Sequence, residues 1–155
     1  LLDNLYYYDL VEGTNHQLTN EPTFHEWGQV ISHDGKWLAY TSEKDSKGMF
    51  EIYINRFPEM DQEIKISKKN GEEPKWLPDG SGVYYRNGQQ WMKVPLKLDD
   101  ELEIGEPELF FEGDYVNVWG PSHDVFPDGR ILLLKGEEWE QPTEIDVIIN
   151  ALDVD

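Results

Sequence analysis

The sequence contains no cysteine among its 155 residues. Disulfide bonds, thiolate metal sites and a cysteine nucleophile are therefore excluded for this chain. Basic residues are also few, since 13 Lys and Arg stand against 32 Asp and Glu and leave a net charge of −19. A surface of this sign repels phosphate groups, which disfavours binding to nucleic acid and docking on anionic lipid.

Long apolar runs and the features of a signal peptide are missing as well. No run of apolar residues approaches the ~20 residues that a membrane-spanning helix needs. The first ten residues lack the basic segment with which a secretory signal peptide begins. The chain starts with Leu1 rather than Met, so we expect the natural start to lie further upstream.

What the sequence does contain is short runs of alternating apolar and polar residues. Hydrophobic residues make up 38% and aromatic residues 13% of the chain, which is enough to build a core despite the charge. Because no segment shows a helical period with capping residues, the predicted fold class is all-β. Strands are predicted at residues 5–9, 16–19, 50–54, 63–67, 90–94, 109–111 and 143–149.

One short motif occurs three times along the chain. An Asp-Gly pair stands at Asp34, Asp79 and Asp128, and apolar residues lie three positions before and four and six positions after each Asp. Asp-Gly favours a tight hairpin turn, because glycine accepts a positive φ at no steric cost. A period in the forties with a turn signal predicts β-propeller blades, each of which is a small antiparallel sheet.

This spacing divides the chain, taken as a single domain over residues 1–155, into whole and partial blades. Residues 26–67 and 73–112 each supply a whole blade of four strands. Residues 122–150 supply the inner strands of a third blade, and residues 1–19 supply only two outer strands. We therefore expect the two terminal segments to be complementary parts of a composite blade.

The sequence resembles the TolB-type, WD40-like β-propeller family over nearly its whole length. Residues 32–42, 50–54 and 73–80 match the blade motif, and residues 6–10 and 17–19 look like the strand pair that precedes a blade. The resemblance implies about six blades in a closed ring, of which this chain is the C-terminal half. Such propellers are interaction modules, periplasmic components or gating domains of prolyl-oligopeptidase-type peptidases. The resemblance therefore implies an extracytoplasmic or periplasmic location, and no catalytic residue accompanies the motif.

The number of blades leaves two hypotheses for the rest of the ring. The 155 residues make only about three blades, and an open half-ring exposes blade faces and strand edges. In one hypothesis two copies form a homodimer, in which residues 122–150 of one copy join residues 5–19 of the other in each composite blade. In the other hypothesis the chain is part of a longer propeller, whose remaining blades close the ring.

The resemblance also indicates where a binding site would lie. In the family's topology the loops that enter the innermost strands gather at one mouth of the central channel, and here they are residues 20–27, 68–75 and 113–123. Their aromatic, carboxylate and imidazole groups suit a cationic peptide or a small ligand, unless Trp27 and Trp119 only pack between blades. The candidate binding residues are Phe24, His25, Glu26, Trp27, Glu72, Glu73, Tyr115, Asn117, Trp119 and His123.

The sequence lacks the standard motifs of catalysis. It has no His-Glu-x-x-His, no glycine-rich phosphate loop and no Gly-x-Ser-x-Gly. Ser122, His123 and Asp124 are contiguous, and neighbours on a strand point to opposite faces and cannot form a triad. We therefore expect a noncatalytic interaction module that binds a protein or peptide, without cofactor or metal. The alternatives are a gating propeller of a peptidase and a propeller enzyme with a metal or carboxylate site on its axis.

Overall fold

The computed structural model describes residues 3–45, 47–98, 102–118 and 122–136. Within these ranges the chain forms thirteen β-strands and no helix, which confirms the prediction of an all-β fold. The same residues accordingly include no helix with the length and hydropathy needed to cross a membrane. The strand predicted at residues 143–149 lies outside the described residues.

The strands form two central antiparallel sheets and two terminal hairpins. The first hairpin consists of β1 (Tyr6–Asp9) and β2 (Thr14–Gln17). The first sheet consists, in spatial order, of β3 (Glu26–Ile31), β4 (Trp37–Ser42), β5 (Glu51–Arg56) and β6 (Ile64–Lys65). The second sheet consists of β7 (Glu72–Trp76), β8 (Gly82–Asn87), β9 (Gln90–Leu98), β10 (Leu102–Ile104) and β11 (Glu108–Glu112). The last hairpin consists of β12 (His123–Val125) and β13 (Ile131–Leu133).

The second sheet differs from the prediction along β9. The sequence pattern ends this strand at Val94, before a proline that has no backbone N–H to donate. β9 nevertheless continues to Leu98, because the carbonyl of Pro95 still accepts a hydrogen bond from the amide of Gly105 at 2.8 Å. The first part of β9 therefore pairs with β11, a strand that the sequence predicted. The last part of β9 pairs with β10, a strand that was not predicted.

The three Asp-Gly turns have one and the same structure. Gly35, Gly80 and Gly129 have φ angles of 74°, 72° and 85°, in the left-handed region that favours glycine. Each glycine amide donates to the carbonyl oxygen three residues before it, at 2.9 Å in all three turns. Each aspartate Oδ1 accepts from the amide two residues later, at 3.1, 2.9 and 3.1 Å. The repeat seen in the sequence is thus a structural repeat.

The two central sheets pack face to face. Ile52 and Ile54 of the first sheet and Val83 and Val94 of the second are fully buried in the cluster between them. The opposite faces are covered as well, since Leu5 packs on Tyr40 of the first sheet and the last hairpin packs on the second. The described chain is therefore a stack of hairpin, sheet, sheet and hairpin, in which both central sheets are covered on two sides.

The first strand of each central sheet contains a β-bulge at the equivalent position. The register shifts in β3 around Gly28 and in β7 around Glu73, and both residues have a positive φ, of 66° and 54°. Both stand six positions before the aspartate of the following turn. The bulge turns the start of each strand away from its sheet. In β7 the positive φ falls on Glu73, which is strained in this conformation, as glycine is not.

We predict that replacing glycine by alanine has the same effect at equivalent turns. Nothing lies within 4 Å of a Cβ added at Gly35 or Gly80, so only the backbone strain of a positive φ acts. Gly35→Ala and Gly80→Ala should each lower the free energy of unfolding by about 1–2 kcal/mol in urea titrations. Gly80→Asn should cost less, because asparagine tolerates the left-handed region. A cost confined to one of the two turns would contradict their equivalence.

Candidate functional site

A cavity opens at the end of the stack where β3 and β7 begin. The two strands lie next to each other there, with Gly28 of β3 against Pro74 of β7. Because both strands start at this end, the loops that lead into them meet above it. The space between these loops has a volume of about 740 Å³. We call it the mouth cavity, and the described residues that line it are Asp3, His25, Trp27, Phe50, Glu72, Asn117 and Val118.

Four of the predicted site residues line this cavity. His25, Trp27, Glu72 and Asn117 come from the three loops in which the sequence analysis placed the site, and the structure brings those loops together. Sequence analysis missed Asp3, Phe50 and Val118. The position of Phe50 could have been inferred from the antiparallel strand order, because it immediately precedes β5, which begins at the same end as β3.

Two aromatic rings form the apolar part of the mouth cavity. Trp27 and Phe50 pack edge to face, with ring centroids 5.7 Å apart and an angle of 86° between the planes. This is a preferred geometry for aromatic pairs, so each ring fixes the orientation of the other. Both side chains are half-buried and therefore keep part of their surface open to the cavity.

An acid and an imidazole form a second wall of the mouth cavity. Nδ1 of His25 lies 3.0 Å from Oδ2 of Asp3, and both side chains remain partly exposed. The backbone of His25 is held by Glu43, whose Oε1 accepts from the amide of His25 at 3.3 Å and whose own amide donates to the carbonyl of His25 at 3.3 Å. The backbone of His25 is thus fixed, and its ring lines the same cavity as Trp27.

Glu72 brings a half-buried carboxylate to the mouth cavity. Burial raises the pKa of Glu72, and repulsion by the neighbouring carboxylate of Glu73 raises it further. The pKa is lowered by hydrogen bonds from Asn117 and Asn70 and by the attraction of Arg86, but these contributions do not offset the rise. The negative charge of Glu72 is therefore incompletely balanced by the groups around it.

Glu73 points away from the cavity and links β7 to β12. Its Oε2 accepts hydrogen bonds from the amide of Ser122 at 3.2 Å, from the hydroxyl of Ser122, and from Nδ1 of His123 at 3.0 Å. Burial alone would raise the pKa of Glu73, but these hydrogen bonds outweigh it and lower the pKa. The same bonds offset the strain of the positive φ at this residue.

Ser122, His123 and Glu73 are close together but are not arranged for nucleophilic catalysis. Ser122 and His123 are only 3% and 4% exposed, so a substrate has no access to them. The hydroxyl of Ser122 donates to Glu73 rather than to the imidazole, and Nε2 of His123 has no partner among the described residues. We interpret the group as a structural link between the second sheet and the last hairpin.

Arg86 holds the loop that brings Asn117 to the cavity. The buried guanidinium donates to the carbonyl oxygens of Tyr115 and Val116, both at 2.9 Å, and lies 5.1 Å from the ring of Trp91. The ring of Tyr115 packs edge-on against the same tryptophan, with centroids 5.3 Å apart. Sequence analysis did not single out Arg86, although a lone arginine inside an apolar strand is unusual.

The remaining candidate residues lie beside the cavity or outside the description. Phe24 is half-buried and is not part of the cavity lining. Glu26 is buried at the start of β3, and its Oε2 has no hydrogen-bond partner among the described residues. Burial raises the pKa of Glu26, against which a hydrogen bond from Thr19 acts. Trp119 lies outside the described residues.

No known protein family matches the chain, and no curated protein is similar to it in sequence. Among the described residues, no group of three His, Asp or Glu side chains is placed to hold a metal ion.

We predict different pH dependences for the carboxylates of Glu26 and Glu73. The folded-state pKa of Glu26 is raised above its ordinary value of 4.5, so ionisation destabilises the fold, and the penalty disappears as the pH falls toward 4.5. Glu26→Gln should therefore be more stable than the wild type at about pH 7.5, by a margin that shrinks toward about pH 5. Urea titrations across this range measure the difference.

Glu73→Gln is the matched variant. The folded-state pKa of Glu73 is lowered below 4.5, so its stabilisation is present above that value and is lost only at lower pH. The variant should lose about 1.5–3 kcal/mol, the usual range for hydrogen bonds to a charged group. This loss should stay nearly constant between about pH 7.5 and about pH 5. The same pH dependence in both variants would contradict the assignment.

Proposed function

We propose that the chain is a noncatalytic β-propeller module that binds a protein or peptide in the mouth cavity. The main support is that residues as distant in sequence as Asp3, Trp27, Glu72 and Asn117 line one open cavity at the starts of two sheets. Aromatic, amide and carboxylate side chains of this kind recognise a ligand by packing and hydrogen bonding. The volume of about 740 Å³ is sufficient for one or two side chains of a bound peptide.

Several structural repeats support the propeller interpretation. The central sheets follow one another in the stack, each has its strands in chain order from β3 or β7 outward, and each turns at an Asp-Gly pair. The first strands lie next to each other and share the bulge at Gly28 and Glu73. In a propeller the innermost strands of neighbouring blades are adjacent in this way around the axis.

The terminal hairpins support a ring that is completed by a second copy. Among the described residues, β1 and β2 pair only with each other, and so do β12 and β13. Both hairpins expose apolar side chains, such as Tyr8 at 59% and Leu132 at 58%. We propose that the last hairpin of one copy and the first hairpin of another form each composite blade, in a two-fold ring of six blades.

The mass in solution tests this ring. We expect light scattering at micromolar concentration to give twice the chain mass of 18.1 kDa. Leu132→Lys should shift the mass toward the monomer, because it places a charge on the hairpin surface that the second copy covers. Leu109→Lys, which changes a similarly exposed leucine on β11, is the control. A monomer mass would contradict the homodimer and favour the blades of a longer chain.

Selection from a random peptide library tests the binding function. We expect selected peptides to bind the chain with micromolar dissociation constants, and Trp27→Ala to weaken binding about tenfold or more while the variant remains folded. Phe126→Ala removes an exposed aromatic ring at the opposite end of the stack and should leave binding unchanged. Peptides that bind Trp27→Ala as well as the wild type would exclude the mouth cavity as the site.

A further inference from the structure

The mouth cavity has an unbalanced negative charge. The described residues that line it include the carboxylates of Asp3 and Glu72 and the imidazole of His25, but neither Lys nor Arg. The chain as a whole has a net charge of −19, which attracts cations toward such a concave surface. A ligand that brings a positive charge is therefore favoured over a neutral or anionic one.

The aromatic pair favours the same kind of ligand. A cation within about 6 Å of an aromatic ring face is attracted by the ring quadrupole, and tryptophan is the strongest partner. The edge-to-face packing against Phe50 fixes the ring of Trp27, while its remaining surface stays open to the cavity. An ordered ring beside carboxylates binds a cation without the entropic cost of first ordering the ring.

Three cationic side chains of the two sheets have partners outside the cavity. Lys44 pairs with Glu63 and lies over the ring of Tyr53, and Lys65 pairs with Asp45 at 2.7 Å. Arg86 is buried and donates to backbone carbonyls. These three groups do not line the mouth cavity, and the attraction of Arg86 offsets the charge of Glu72 only in part, so a ligand can balance the remainder.

We propose that the mouth cavity takes a Lys or Arg side chain of a basic peptide, with the cationic group against Trp27 and close to the carboxylates of Asp3 and Glu72. This inference rests on the proposed peptide-binding function and specifies the ligand group that the cavity recognises. The amide of Asn117 borders the same space and can bond to the peptide beside that side chain.

The electrostatics of Glu72 agree with this assignment. Its ionised form is disfavoured by burial and by the charge on Glu73, and the chain's own hydrogen bonds do not offset this. A cation in the cavity would lower the cost of that charge. Glu72→Gln should consequently leave the empty protein folded and weaken only the binding of a cation.

Tripeptides that differ in one side chain test the proposal. The probes are acetyl-Gly-Lys-Gly-amide, its Arg analogue and its norleucine analogue, which keeps the aliphatic chain without the charge. We follow the indole N–H of Trp27 by NMR during titration to about 10 mM. The Lys and Arg peptides should bind about tenfold more tightly than the norleucine peptide. Glu72→Gln should remove most of this difference, whereas Glu108→Gln, which removes an exposed charge on β11, should not.

The outcomes separate this proposal from the binding function on which it rests. Equal affinity for the Lys and norleucine peptides, or no response of Trp27 to the Lys peptide, would overturn the cation assignment. Peptides selected from the library would then still bind in a manner that depends on Trp27 if the chain is a peptide-binding module. Loss of that dependence as well would overturn both proposals.

Discussion

The structure depends on covering both faces of each central sheet with another sheet. The described chain has no helix that could shield an apolar sheet face, so the only available cover is the next sheet or hairpin. Fully buried side chains such as Ile54 and Val83 meet at the central interface, and each contributes roughly 1.5–3 kcal/mol by leaving water. This requirement explains why β4 and β8 are buried at nearly every position rather than at every second one.

The stacking also places the candidate site. Sheets that face each other with their first strands adjacent bring the loops before β3 and β7 to one end of the stack. Buried polar groups then fix the loop that closes the cavity from the other side, since Arg86 binds the carbonyls of Tyr115 and Val116 and Glu73 binds Ser122. A buried charge is costly unless it is hydrogen-bonded, and both of these groups form several hydrogen bonds.

Sequence analysis predicted what depends on local chemistry. The Asp-Gly turns and the two sheets follow from turn residues and alternation, and the structure contains them. The meeting of the loops around Trp27 and Asn117 was implied by the resemblance, and these residues line one cavity. Alternation identifies a strand face but not what covers that face, so the burial of His123 could not be predicted. The role of Arg86 was missed for the same reason, because its acceptors are backbone carbonyls about thirty residues away in sequence.

Three glutamates at the starts of β3 and β7 differ in how well their negative charges are stabilised. Glu73 is buried but accepts three hydrogen bonds, and its pKa is lowered. Glu26 and Glu72 stand at the cavity end of β3 and β7 with raised pKa values, so their ionised forms reduce stability at neutral pH. A purely structural role would favour neutral residues at those two positions. Of the two, only Glu72 lines the open cavity beside Trp27, and its incompletely balanced charge is what the proposed binding of a cation would offset.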